Sequence, residues 1–69
     1  MGFYYVNNRP QPESGDHEVH LHGCSWLALA ESVTPLGNHL TCHSAVASAR
    51  LLYSTADGCA HCSPLCHRG

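Results

Sequence analysis

The chain has 69 residues, of which 43% are hydrophobic and only 12% charged, with a formal net charge of −2. That length allows one small domain over 1–69, and the absence of Lys, with 3 Arg as the whole basic complement, argues against charge-driven binding to nucleic acid or an anionic membrane. Eighteen large apolar side chains with no Ile make a thin core, so a staple is expected, and 5 Cys and 7 His could supply it.

Phe3 to Val6 is aromatic and β-branched and reads as a short strand. Residues 7–16, rich in Pro, Asn, Ser and Gly, form a loop, with a turn at Gly15-Asp16. From His17 to His22 the residues alternate: Val19 and Leu21 fall on one face, Glu18, His20 and His22 on the other. This second strand is expected to run antiparallel to the first. Gly23 breaks it and delivers Cys24.

The apolar run from Ser25 to Ser32 is continuous, so periodicity does not choose between a short helix and an irregular buried segment. Thr34-Pro35-Leu36-Gly37-Asn38 reads as turn chemistry, with a third short strand at His39-Leu40. Thr41 to Tyr53 is the clearest helix. Thr41 can cap it, and Cys42, Ala45, Val46 and Ala49 make one apolar stripe that faces the sheet. Asp57-Gly58 ends the element, and residues 54–69 form a Cys/His-rich tail. These elements predict an α+β domain: a small antiparallel sheet of two or three strands packed against one main helix, stapled by zinc.

No basic leader precedes the four-residue apolar run at the N-terminus, and no apolar segment reaches 18 residues. Neither an export signal nor a membrane span is expected, and a cytoplasmic setting follows. Thiols stay reduced there, and clustered Cys then signals metal or redox chemistry; the odd Cys count also disfavours a disulfide scaffold.

Cys59-x-x-Cys62 follows Gly58, a spacing that lets two thiolates converge on one tetrahedral ion. The same spacing serves redox pairs, but those sit at a strand-to-helix junction, whereas this pair follows a helix and Pro64 limits a new one. His20-x-x-x-Cys24 supplies a second half-site, with 34 residues between the two pairs. Together His20, Cys24, Cys59 and Cys62 offer three thiolates and one imidazole, a common closed site for Zn2+. Cys66, four residues past Cys62, and His22, beside His20, are the alternatives to His20 as fourth ligand. Cys42 on the helix stripe reads as a small buried hydrophobe, and His17, His39, His43, His61 and His67 as ordinary polar residues. No nucleophile elbow, phosphate loop or dinucleotide fingerprint is present in the sequence.

Gly15-Asp16-His17-Glu18-Val19-His20, Gly23-Cys24, Cys42-x-x-Ala45-Val46, Ala56-Asp57-Gly58-Cys59-x-x-Cys62 and Cys66-His67 together resemble a family of short bacterial proteins, a pattern that brings no activity with it. More distantly the layout resembles the Ada-type zinc module, with two ligands three residues apart, a helix, then a Cys-x-x-Cys. That resemblance places the module's four metal positions on His20, Cys24, Cys59 and Cys62. In the Ada type the first of these is a cysteine that accepts a methyl group from a DNA phosphotriester. His20 stands there in this chain, so the resemblance implies a structural or binding unit rather than methyl transfer.

The expected function is a small zinc-binding module with a structural or interaction role toward a protein partner, and no catalysis. Two rivals stand beside it: a thiol-redox protein using Cys59 and Cys62, and a metal-free structural protein whose core is completed as a homodimer.

Overall fold

The computed structural model describes residues 2–68. Four strands and one α-helix follow in the order β1 (Gly2–Asn7), β2 (His17–Leu21), β3 (Val33–His39), α1 (Cys42–Arg50) and β4 (Ala56–Gly58). Single 3-10 turns occupy Leu27–Leu29 and Pro64–Cys66. The class is α+β, as the patterning predicts, and β1 pairs β2 antiparallel.

The sheet has four strands rather than two or three, in the order β3-β1-β2-β4, and it is mixed: β4 runs parallel to β2. Both additional pairings lie where local signals were weak. Thr34-Pro35-Leu36-Gly37-Asn38, expected as a turn, belongs to edge strand β3. An edge strand tolerates Pro because one row of its backbone groups needs no ladder partner. The register shifts between Tyr4, opposite Gly37, and Tyr5, opposite Pro35, so Leu36 is the extra residue of a bulge. Gly37 takes a φ of +88°, which a side chain would oppose. Strand β4 is three residues long, too short for period-2 patterning to register.

The helix ends at Arg50, and residues 51–52 form a turn rather than a further helical stretch to Tyr53. Thr41 holds the N-cap position in extended backbone but makes no side-chain cap bond. Ser44 Oγ instead reaches back to the Thr41 carbonyl at 3.3 Å. The predicted stripe of Cys42, Ala45, Val46 and Ala49 is buried. It packs on Tyr4, Val6 and Val19, with Leu21, Leu36 and Tyr53 at the margin. Ala45 and Ala49 are fully buried, so the small side chains let helix and sheet approach closely.

The sulfurs of Cys42 and Cys66 lie at disulfide-bonding distance, with Cα atoms 6.2 Å apart. This corrects two readings. Cys42 is buried on the stripe as expected but is not a plain hydrophobe, and Cys66 is not the fourth ligand of the His20 group. Two positions 24 apart in sequence are brought together because the tail folds back over the start of α1. The tail is also tied to β4. His67 Nδ1–H donates to the Gly58 carbonyl at 3.0 Å, and the Arg68 backbone N–H donates to Asp57 Oδ2 at 2.9 Å. Among the described residues, no helix is long and apolar enough to cross a membrane.

Candidate metal centre

Parallel pairing puts the C-terminal ends of both strands at the same end of the sheet. Val19 sits opposite Gly58, and the ladder continues one step as the Cys59 N–H donates to the Val19 carbonyl at 3.0 Å. The turn leaving β2 and the turn leaving β4 therefore emerge side by side. In the first, Gly23 adopts a φ of +92°, and the Cys24 N–H donates back to the Leu21 carbonyl at 3.0 Å. In the second, the Ser63 N–H closes the Cys-x-x-Cys loop on the Cys59 carbonyl at 2.8 Å.

The end of β2 and these two turns bring together His20, Cys24, Cys59 and Cys62, with one potential ligand atom from each lying within 4.8 Å of the other three. The four residues singled out by spacing thus form one cluster. His20 is not a solvated strand-face residue: only 1% of it is exposed, on the sheet face opposite α1. His22, the neighbour on that face, is exposed and lies outside the cluster, its ring 6.2 Å from that of Tyr5. Cys66 is engaged with Cys42.

His20 presents Nδ1 to the sulfurs, 3.9 Å from Cys62 Sγ. Its Nε2 lies 3.6 Å from Glu18 Oε1. A neutral ring with its proton on Nε2, toward the carboxylate, leaves the Nδ1 lone pair aimed into the cluster. Burial holds the imidazole below its ordinary value, against a smaller upward pull from Glu18, so the metal-binding neutral form is favoured.

The thiols divide into two kinds. Burial pushes Cys59 up to about 12, more than the His61 and Cys62 backbone N–H groups draw it down. Burial also pushes Cys62 up, although the Leu21 N–H reaches its sulfur at 3.3 Å. At Cys24 burial acts upward too. Hydrogen bonds from the Leu27 and Trp26 backbone, with those linking it to Cys62 and Cys59, outweigh it and leave the thiol lowered. Three sulfurs this close repel as thiolates unless a cation sits among them. The donor set, its mutual spacing and the N–H groups aimed at sulfur fit a tetrahedral ion at about 2.0–2.3 Å from each donor. No acidic side chain belongs to the group, which fits a thiophilic ion better than a hard, oxygen-seeking one.

Sequence reasoning missed the supporting residues. His61, inside the Cys-x-x-Cys loop, stacks on Trp26 with ring centroids 5.2 Å apart, joining the two turns across the site. Leu27–Leu29 turns beside it with Leu29 exposed, so the apolar run from Ser25 to Ser32 does not enter the core. No signal local to Trp26 or His61 could have paired them, since 35 positions separate them.

Comparisons with known proteins give no match: no family model fits the chain, and neither curated proteins nor solved structures show similarity to it.

Proposed function

We propose that the protein is a small zinc-binding module in which His20, Cys24, Cys59 and Cys62 hold one Zn2+ in a structural role that presents a surface to a protein partner. The observation that carries this reading is the convergence of three sulfurs from the turns after β2 and β4 with one buried, oriented imidazole from the end of β2. Bound zinc would neutralise the clustered thiolates and staple the turn after β2 to the turn after β4. Four protein ligands close a tetrahedral site and leave no position for substrate, which supports a structural rather than a catalytic role.

The thiol-redox alternative requires a Cys-x-x-Cys thiol held below its ordinary value. Cys59 and Cys62 are both pushed the other way. The lowered thiol, Cys24, belongs to the other turn.

Elemental analysis of the untagged chain, prepared under reductant and without chelator, tests the proposal. Tightly held zinc is expected at one equivalent or more, with one equivalent lost in Cys59→Ser and in Cys24→Ser. A chain that retains no zinc, or whose zinc content is unchanged by Cys59→Ser, would refute it.

A further inference from the structure

A second group of potential ligands lies apart from the quartet. Cys42 opens α1, His43 follows it, and Cys66 ends the Pro64–Cys66 turn that packs against them. One ligand atom from each of the three lies within 4.8 Å of the others. Both sulfurs are buried, whereas His43 is exposed, so the group opens outward on its imidazole side. A cleft of about 280 Å3 beside Thr41, Cys42 and His43 reaches one cysteine, and another of about 170 Å3 beside His43, Val46 and Cys66 reaches the other.

We infer that Cys42, His43 and Cys66 form a second site for a thiophilic cation, occupied when the two thiols are reduced and abolished when they join as a disulfide. The chemistry follows from the positions. Two cysteines with Cα atoms 6.2 Å apart can close on each other or, with a small separation of the sulfurs, close on one ion. Cys42 opens α1, whose first turn carries no acidic side chain, so its sulfur is presented beside the unpaired backbone N–H groups of the helix start. Two thiolates and an imidazole leave a tetrahedral ion one open position, unlike the closed quartet. That open position makes this the more exchangeable of the two sites.

The two states interconvert by a balanced exchange with a low-molecular-weight disulfide such as oxidised glutathione. One cysteine thiolate attacks a sulfur of the external disulfide, whose S–S bond breaks and releases one thiolate. The other cysteine thiolate then displaces the second external thiolate and forms the Cys42–Cys66 bond. The two cysteine sulfurs give up two electrons, the external disulfide takes them, and the ion leaves unchanged as Zn2+. Reduction by the corresponding thiol, with Zn2+ present, runs the sequence backward.

Native mass spectrometry of the full chain with added Zn2+ tests this. The reduced chain should hold one more zinc than the chain treated with oxidised glutathione. His43→Ala alters an exposed side chain and should spare the fold while weakening the extra zinc at least tenfold. Cys66→Ser should remove the difference between redox states. Equal zinc counts in the two states would overturn the inference, as would an extra zinc indifferent to His43→Ala. Oxidised glutathione also attacks the quartet's free thiols, so the arms that separate the two sites are His43→Ala and Cys66→Ser, which alter no quartet ligand: a redox difference that persists in both belongs to the quartet and would overturn the inference.

Discussion

Replacing Gly58 by Ala probes how tightly the tail is seated on β4. A Cβ at this position would lie 2.7 Å from Cys66 Cβ, 2.8 Å from the Ser63 carbonyl oxygen and 2.9 Å from the Cys66 carbonyl carbon. Two of these atoms are backbone, and the third belongs to a residue cross-linked to α1, so none can swing aside as a flexible side chain would. Restoring ordinary contact means moving the 63–66 turn by about half an ångström or more. Overpacking of this kind costs about 1–3 kcal/mol. In a domain of this size that corresponds to a fall in Tm of about 5–20 °C. The displacement also reaches the metal centre. Cys59 follows Gly58 directly and Cys62 precedes Ser63, while ligand distances tolerate only about 0.2 Å of error. Zinc affinity, measured by competition with a chromophoric chelator, should fall at least tenfold. Gly15→Ala is the control: nothing lies within 4 Å of its added Cβ, and its φ of +76° makes the cost one of backbone strain. It should lower Tm modestly and leave zinc affinity alone. A Gly58→Ala protein within about 0.5 kcal/mol of the parent, with unchanged affinity, would refute the reasoning.

Ala49→Asp places a carboxylate at a fully buried position between helix and sheet and should destabilise by several kcal/mol, enough to unfold the chain in a urea titration. Structural zinc in small domains contributes on the order of 10 kcal/mol of apparent binding free energy. Chelation in reducing buffer, or Cys59→Ser, should therefore collapse the near-UV circular dichroism; a retained spectrum would show that the core holds without the staple. Cys59 at about 12 and Cys62, also raised, are protonated thiols at neutral pH, whereas the lowered His20 is already neutral. Zinc must then displace at least about two protons, so affinity should rise roughly a hundredfold per pH unit near neutrality and fall as pH drops. Calorimetry in buffers of different ionisation enthalpy reads the proton count, and no proton release would contradict the assignment.

Elements with a strong local period are legible without the fold. Alternation from His17 to His22 assigned Val19 to the core face, and the stripe of Cys42, Ala45, Val46 and Ala49 picked out the helix face that meets it. Spacing also selected His20, Cys24, Cys59 and Cys62, because ligand pairs must sit on tight turns and such turns are local. Features that depend on distant partners emerge only once the chain has folded. Strand β4 exists only because three residues find β2, and its parallel direction is what brings the two turns to one end of the sheet. His20 lies on the polar face by period, but the turns folded over that face bury it. Pairing of Cys42 with Cys66 spans the helix and the tail, and neither residue carries a local mark of the other. Period and turn chemistry act over a few residues, whereas burial and cross-linking are set by where the chain returns.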